Sequence, residues 1–296
     1  MGFRLQGDSK YFLVLQNNVL KRDSLHLLSC AEYLHEYLNV DSNLKWVDEE
    51  YCLEMDTTNL HLNTVFVFER FSGAAFEHLV ANSKALIIGT PCLWYSLARN
   101  ASIPLCCSRA VFSLAMKDIQ VYLHEFPATE RMEAEKLIGW MGGCCLEKQD
   151  KNCVYLSIYS MNFDVFEMYK NMGSSGLTIF GSNWVYDVWM KNHTHQSVLA
   201  IDTFFNLHRM PVFFGLVISS TNLSDSQEQD LRKLIETNGG TYSSTFDGNT
   251  HILIMEKMIK KIRNSLSGNH SICLKIDWIF ECINKQHVVS FEKFRF

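Results

Sequence analysis

Cysteine and histidine side chains are the groups in this sequence that could bind a metal ion or form disulfides. The 296 residues contain ten cysteines, which are Cys30, Cys52, Cys92, Cys106, Cys107, Cys144, Cys145, Cys153, Cys273 and Cys282. None of them forms the C-x-x-C pair that is typical of zinc sites. His193 and His195 stand two residues apart, with no acidic or cysteine partner beside them. We therefore expect no metal site, and we interpret the cysteines as reduced, largely buried thiols.

Motifs for covalent catalysis or nucleotide binding are absent from the sequence. It contains no G-x-S-x-G, no G-x-x-x-x-G-K-[ST] and no G-x-G-x-x-G, the patterns that place a nucleophile or a phosphate cradle at a strand-to-helix turn. The run "GSSG" at 173–176 is typical of a loop between a helix and a strand. His251 opens an apolar strand, where we expect it to bond nearby backbone. The sequence predicts neither enzymatic activity nor a cofactor.

Charge is unevenly distributed along the chain. The net charge is −5, yet residues 208–296 carry 11 basic and 9 acidic side chains, against 16 and 23 in residues 1–207. We therefore expect any anion-binding site in the last third, while the acidic remainder disfavours attraction to nucleic acid. Taken alone, the basic run "KKIR" at 260–263 is typical of a solvated helix face.

The hydrophobic pattern gives no sign of a membrane protein. No run of eighteen apolar residues is present, and the N-terminal "MGFRLQGDSK" is polar where a signal peptide has its apolar segment. We expect an intracellular protein that does not associate with membranes.

An internal repeat is marked by two pairs of landmarks. Gly-Gly occurs at 142–143 and again at 239–240, an offset of 97 residues, while Trp184 and Trp278 stand 94 residues apart. Two landmarks with nearly the same spacing indicate that residues 113–197 and 208–296 are copies of one unit. Both tryptophans lie at the centre of apolar helical spacing, so we expect them in the core.

The order of elements in each copy follows from its hydrophobic periodicity. A strand leads through a polar turn into an amphipathic helix, and Gly-Gly ends that helix in the left-handed conformation that glycine adopts easily. Three more strands and two more helices follow. The predicted strands lie at 118–123, 144–148, 153–159 and 177–180 in one copy, and at 212–219, 241–245, 251–255 and 271–274 in the other. Such alternation predicts an α/β fold with a parallel sheet flanked by helices.

Residues 1–105 show a third, more divergent unit without the Gly-Gly landmark. Its predicted strands are "KYFLVLQ", "TVFVFERF" and "ALIIG", and its predicted helices are "SLHLLSCAEYLHEYL", "AAFEHLVANS" and "CLWYSLARN". The linkers "ASIPLCCSRA" and "VLAIDTFFNLHRM" are short and fairly apolar. We therefore expect three modules, 1–105, 113–197 and 208–296, packed against one another.

The order of elements, with Gly-Gly after the first helix and Trp in the last, resembles the BRCT repeat, a small four-stranded parallel module. "RFSGAAFEHL" at 70–79, "LIGWMGG" at 137–143, "PVFFGLVISSTNL" at 211–223 and "NTHILI" at 249–254 together resemble the N-terminal triple-BRCT region of the DNA topoisomerase II-binding checkpoint and replication scaffold family. The resemblance covers essentially the whole chain. It implies three BRCT modules in tandem and a non-enzymatic adaptor.

This resemblance also implies a phosphate pocket in the third module. Phosphate-reading repeats place a hydroxyl at the end of the first strand, a backbone N–H beside it and a lysine at the start of the second helix. Thr221, the amide of Asn222 and Lys261 match these positions, although many such repeats have glycine where Asn222 stands. A phosphate group needs several charge-assisted donors at once, and these three would supply them.

The other two modules depart from the pattern. In the middle module the hydroxyl position falls on His124 and the lysine position on Val165, next to Asp164. A carboxylate there repels phosphate, so we expect a degenerate pocket, with His124 and Arg131 as a possible secondary anion site. The first module shows no hydroxyl and lysine in register, and we expect a structural role or an unrelated binding surface.

The function implied by the resemblance is a nuclear, monomeric scaffold that binds phosphoserine or phosphothreonine peptides. Its expected partners are phosphorylated checkpoint and replication proteins, such as a checkpoint clamp tail or a replication-initiation factor. Two alternatives stay open, namely binding to DNA ends through a 5′ phosphate and phosphate-independent protein binding. The acidic first two modules make direct DNA binding the less favoured of these.

Overall fold

The structure is a computed structural model that describes residues 2–105, 109–149, 151, 153–160, 164–193, 198–257 and 271–296. The helices of these residues are α1 (Leu25–Leu38), α2 (Glu49–Glu54), α3 (Ala74–Asn82), α4 (Thr90–Ala98), α5 (Ala128–Trp140), α6 (Val165–Lys170), α7 (Asn183–Lys191), α8 (Asp225–Thr237) and α9 (Asp277–Lys285). The strands are β1 (Gly2–Phe3), β2 (Lys10–Leu15), β3 (Leu44–Asp48), β4 (Thr64–Phe68), β5 (Leu86–Gly89), β6 (Ile103–Pro104), β7 (Ala110–Val111), β8 (Gln120–His124), β9 (Cys144–Leu146), β10 (Tyr155–Ile158), β11 (Thr178–Gly181), β12 (Val217–Thr221), β13 (Thr241–Ser243), β14 (Ile252–Met255) and β15 (Ile272–Lys275).

Parallel strands form the three larger sheets of the described residues. The strand orders are β3-β2-β4-β5-β7, β11-β10-β8-β9 and β13-β12-β14-β15. In the second sheet β10 pairs in parallel with β8 and β11, and in the third β14 pairs in parallel with β12 and β15. In each of these sheets, the strand that comes first in the sequence lies between the strands that come second and third. The predicted α/β class is therefore confirmed.

The first sheet buries both of its faces, as an α/β sheet must. Along β2, Tyr11 and Leu13 point into a cluster that includes Leu27 and Leu34 of α1 and Leu93 of α4. The alternate residues, Phe12 and Val14, point into a second cluster with side chains of α2 and α3, such as Cys52, Phe76 and Leu79. Helices therefore cover both faces.

Two elements of the first sheet differ from the sequence-based expectation. The strand β7 belongs to the stretch predicted to be a linker, and it adds a fifth strand beside β5. The strand β3 and the short helix α2 were not predicted, because five and six residues are too few for a clear periodicity. The first module is thus larger than a four-stranded unit.

The two Gly-Gly pairs end helices, as the sequence predicts. Gly142 and Gly239 have φ of 79° and 78°, and they follow α5 and α8. The second glycine of each pair closes the helix, since Gly143 N–H donates to Ile138 O at 2.9 Å and Gly240 N–H donates to Ile235 O at 3.0 Å. The two turns have the same geometry, which supports a duplicated module.

The two landmark tryptophans are fully buried, as predicted. Trp184 and Trp278 are both 0% exposed. Their indole N–H groups donate to backbone carbonyls, Trp184 to Ala200 at 2.9 Å and Trp278 to Val289 at 3.0 Å. Each side chain therefore buries its ring without leaving its polar atom unpaired.

One predicted strand begins later than expected. The apolar run at 212–219 was predicted to be extended throughout, but β12 starts at Val217 and residues 212–215 form a turn. Gly215 has φ of 70°, and a Cβ there would lie 2.3 Å from Cγ1 of Val165. The left-handed glycine in this close contact breaks the strand.

Seven of the described cysteines are free thiols, and five of these are buried. Cys30, Cys52, Cys92, Cys145, Cys153, Cys273 and Cys282 are free. Burial raises the pKa of the Cys273 thiol to about 11 and that of Cys282 to about 12, so both stay neutral at physiological pH. Cys144 is disulfide-bonded, which corrects the expectation of ten reduced cysteines. Cys106 and Cys107 lie outside the described residues.

Over the described ranges, no group of three or more His, Cys, Asp or Glu side chains is placed to hold a metal ion. His193 Nδ1 lies 2.9 Å from Trp189 O, and His195 is not among the described residues. No helix in those ranges is long and apolar enough to cross a lipid bilayer.

The chain divides into two compact units. One comprises Met1–Gln120, Pro127–Cys145 and Asn183–Asn206, and the other Val121–Phe126, Leu146–Ser182 and Leu207–Phe296. The three module boundaries predicted from the sequence, and the packing between modules, therefore stay predictions.

Candidate phosphate-binding site

The third sheet aligns the carboxyl ends of its strands at the predicted site. Thr221, the last residue of β12, pairs with Met255 at the end of β14, and Met255 pairs with Lys275 at the end of β15. Ligands of open parallel sheets bind at this edge, because loops that leave neighbouring strands can converge on one molecule. Thr221 thus lies where the sequence pattern places it.

Three consecutive hydroxyl residues end β12, and they differ in their partners. Ser219 is 1% exposed, and its Oγ has no hydrogen-bond partner among the described residues. Ser220 Oγ lies 2.7 Å from the hydroxyl of Tyr242 on the neighbouring strand. Thr221 is half-buried, and within the described chain no group hydrogen-bonds its side chain. Its hydroxyl is therefore the one available at the strand end.

The turn after Thr221 is fixed by the start of α8. Asn222 has φ of 59°, a left-handed conformation that favours glycine and that asparagine tolerates better than most residues. Ser224 then caps α8, because its Oγ accepts Gln227 N–H at 3.3 Å while its own N–H donates to Gln227 Oε1 at 2.9 Å. This reciprocal capping box fixes the start of α8, two residues after Asn222.

The cationic part of the predicted site is only partly described. Lys261 lies outside the described residues, as does its neighbour Lys260. Arg232 has partners of its own, since its guanidinium carbon lies 4.8 Å from the Tyr242 ring centroid and one of its nitrogens lies 3.9 Å from Glu228. The structure therefore brings Thr221 and Asn222 together, and the role of Lys261 stays a prediction.

Acidic side chains near this edge make a cation necessary for phosphate binding. Asp225 and Glu228 lie in the first turn of α8, and Glu256 follows β14, where its Oε1 accepts a hydrogen bond from Gln227 Nε2 at 3.1 Å. Their negative charge repels a phosphate group. A cationic side chain beside the phosphate would offset this repulsion.

The middle module shows the same turn with different chemistry. His124 ends β8, and Glu125 after it has φ of 55°, close to that of Asn222. Burial lowers the pKa of His124, although Glu125, whose Oε1 is 3.8 Å from His124 Nε2, acts in the opposite direction. The imidazole is therefore mostly neutral at pH 7 and a weak anion ligand.

Other residues of the middle module offer little to a phosphate. Val165 at the lysine position is 1% exposed. The Asp164 carboxylate caps α6 by accepting Phe166 N–H at 2.9 Å. Arg131, proposed as part of a secondary anion site, donates to Glu135 Oε1 at 2.8 Å. These contacts favour a degenerate pocket, and the secondary site stays a prediction.

In the first module the corresponding turn is filled by a carboxylate of the same chain. Asn17 after β2 has φ of 55°, and its N–H donates to Glu49 Oε2 at 2.8 Å. Gln16 ties this turn to the loop before α3, because its Nε2 donates to Ser72 O and its Oε1 accepts Arg70 N–H. Glu49 was not predicted to act here, since it lies 32 residues from Asn17 and outside any motif.

Lowering the pH below about 6.5 is expected to destabilise the third module through His251. Its Nδ1 accepts Val217 N–H at 3.0 Å, as the sequence predicted, and this requires an uncharged Nδ1. Burial lowers the pKa of His251, with Asp164 acting in the opposite direction. The unfolded chain therefore binds a proton on His251 more readily than the folded chain does. The stability that the neutral His251 contributes is present above its unfolded pKa and is lost as the pH falls.

This expectation is tested by thermal unfolding of the wild type and His251→Gln from about pH 8 to about pH 5. The variant should lose less of its Tm on acidification than the wild type. His124 and His287 also have lowered pKa values, so a residual slope is expected. An identical slope in both proteins would show that His251 does not carry the effect.

Part of this chain, including the candidate site, matches a known protein family model. Residues 208–283 match the family model of the BRCA1 C Terminus (BRCT) domain. They contain Thr221, Asn222 and Lys261. BRCT domains are in general non-catalytic protein-interaction modules.

Among curated proteins, Protein ECT2 of Homo sapiens is 22% identical over 257 residues, which are 86% of this chain and 28% of that protein. Protein ECT2 of Mus musculus is 22% identical over 220 residues, which are 71% of this chain and 24% of that protein. The chain therefore spans about a quarter of the length of these relatives. The narrower resemblance to the topoisomerase II-binding scaffold is not confirmed by these matches.

Among solved structures, the Rad4 BRCT1,2 region in complex with a Crb2 phosphopeptide covers 62% of this chain and 100% of its own, with 14% identity and a TM-score of 0.43. This likeness is too low to indicate a function for the chain.

Proposed function

We propose that this chain is a protein-binding scaffold whose BRCT domain binds a phosphoserine or phosphothreonine peptide. The observation that carries the proposal is the position of Thr221 at the end of β12, beside a left-handed turn and with a hydroxyl that no described residue bonds. The hydroxyl and the Asn222 amide would donate to the phosphate oxygens. Lys261 would supply positive charge against the carboxylates of Asp225 and Glu256.

The partners we propose are phosphorylated proteins of the DNA damage checkpoint and of DNA replication, with the scaffold acting in the nucleus. The family match at 208–283 and the sequence resemblance to the topoisomerase II-binding scaffold support this proposal. The other two modules would then support the reader domain or bind partners without phosphate. No enzymatic role is proposed for any module.

Thr221→Val is expected to weaken phosphopeptide binding roughly tenfold or more. The change removes the hydroxyl but keeps the shape of the side chain, and a hydrogen bond to a charged group contributes about 1.5–3 kcal/mol. Isothermal titration calorimetry with a phosphothreonine peptide measures the loss. Ser220→Ala is the matched control, because that hydroxyl contacts Tyr242. Equal affinity in wild type and Thr221→Val would rule out this pocket.

Binding to DNA ends is the second candidate, and the excess of basic residues after residue 207 favours it. A mobility-shift assay with 5′-phosphorylated duplex DNA over a salt series separates the two. Contact with DNA must weaken steeply as salt rises, because counterions are released on binding. Negligible binding at low salt would remove DNA as a ligand.

A further inference from the structure

The helices α1 and α4 of the first module carry a group of large apolar side chains at the surface, here called the aromatic face. It consists of the exposed Leu25, Tyr37 and Trp94 and the partly buried Tyr33. Leu25 is 68% exposed, Tyr37 51% and Trp94 37%. The Tyr33 and Tyr37 rings are parallel with centroids 5.5 Å apart, and the Tyr33 and Trp94 rings are tilted by 46° with centroids 4.5 Å apart. Large apolar side chains grouped in this way at a surface indicate a binding site.

A cavity of about 190 Å³ lies at one end of this face. It is lined by Leu25, His26, Ser29, Thr90, Pro91 and Trp94. Thr90 and Pro91 are buried in the first turn of α4, while Leu25 and Trp94 are exposed at the cavity. The cavity thus has a buried floor and partly apolar walls, and it is large enough for one side chain of a partner.

Two carboxylates lie on the same side of α1 as the aromatic face. Glu32 and Glu36 are exposed and four residues apart, and Glu36 follows Tyr33 by three residues. Like charges at this spacing destabilise a helix unless a cation is near. Within the described part of the chain, no ion pair involves either of them. The surface therefore combines aromatic rings with negative charge that no described cation offsets.

The same module shows how such rings bind cations. Lys21 Nζ lies 4.4 Å from the Trp46 ring centroid, and the Arg99 guanidinium carbon lies 4.9 Å from that of Tyr95, one residue after Trp94. In the described chain, no Lys or Arg lies over Tyr33, Tyr37 or Trp94. Residues 1–105 also contain 12 acidic and 8 basic side chains. Charge complementarity thus favours a cationic ligand.

We propose that the aromatic face is a docking surface for a basic, arginine- or lysine-containing segment of a partner protein. One cationic side chain of the segment stacks on the exposed rings of Tyr37 and Trp94, with its charge near Glu32 and Glu36. An apolar side chain next to it enters the cavity between α1 and α4. This surface needs no phosphate, so it is independent of the function proposed for Thr221 and Asn222.

The test is fluorescence anisotropy with a labelled, phosphate-free peptide that contains arginine and leucine, near physiological salt. A matched peptide carries citrulline, which keeps the shape of arginine without its charge. Glu32→Gln with Glu36→Gln should weaken binding of the arginine peptide at least about fivefold, and Tyr37→Ala with Trp94→Ala about tenfold. The citrulline peptide should bind the wild type no better than it binds these variants.

Phe280→Ala is the control, because Phe280 is an equally exposed aromatic residue on α9, at 51%, and its loss should leave binding unchanged. The Glu→Gln variants alter exposed side chains only, so they keep the test valid if the aromatic variant fails to fold. The proposal is overturned if both peptides bind alike, if wild type binds neither, or if the Glu→Gln variants bind as wild type. Dimerisation that is abolished by Tyr37→Ala would also overturn it, by assigning the face to a second copy.

Discussion

Trp278→Ala is expected to destabilise the third module by about 3–5 kcal/mol. The side chain is 0% exposed, and its ring centroid lies 5.6 Å from that of Phe213 and 5.7 Å from that of Phe291. Its removal leaves a large cavity and also unpairs the carbonyl of Val289, which accepts the indole N–H. The free energy of unfolding of a whole domain is about 5–15 kcal/mol, so the variant would lose a large part of it.

Equilibrium unfolding in urea measures this effect, and Phe280→Ala on the same helix is the matched control. Phe280 is 51% exposed, so its replacement should change the free energy of unfolding by less than about 0.5 kcal/mol. Comparable losses in both variants would mean that α9 does not present Trp278 to the core.

The double variant Thr221→Val with Lys261→Ala is expected to lose phosphate-dependent binding by a factor on the order of 100. Each change removes one proposed charge-assisted donor, and the Lys261 change also removes a positive charge, while Asp225 and Glu256 keep their negative charge. The two effects act on the same phosphate group, so they need not add. Binding of the unphosphorylated peptide should not change.

The features that the sequence predicted well are those fixed by local backbone chemistry. The left-handed glycines at 142 and 239 follow from their place after an amphipathic helix, and the same φ is found in both. The burial of Trp184 and Trp278 follows from their apolar spacing. His251 was correctly predicted to bond nearby backbone, because it opens a strand with few other partners.

The features that were missed depend on contacts between distant residues or on very short elements. The strand β7 has two residues and forms only because β5 offers an open edge. Gly215 interrupts an apolar run because Val165 packs against it. The bond from Asn17 N–H to Glu49 joins positions 32 residues apart. Local patterns contain no signal for any of these contacts.

At the candidate site, the position of the turn was predicted from local sequence, while the modules differ in their side chains. A hydroxyl at the end of β12 and a turn residue after it could be read from the repeat, and the structure places Thr221 and Asn222 as expected. The turn conformation is shared with Glu125 in the middle module. What distinguishes the modules is therefore side-chain chemistry on one backbone, with His124 in one place and Thr221 in the other.

The central claim, a single phosphate-reading pocket within residues 208–283, is tested most directly by fluorescence anisotropy. Matched phosphorylated and unphosphorylated peptides are titrated with the wild type, with Thr221→Val plus Lys261→Ala, and with His124→Ala. We expect the preference for the phosphorylated peptide to disappear in the double variant and to persist in His124→Ala. Loss of the preference in His124→Ala, with the double variant unaffected, would place the pocket in the middle module and contradict our account.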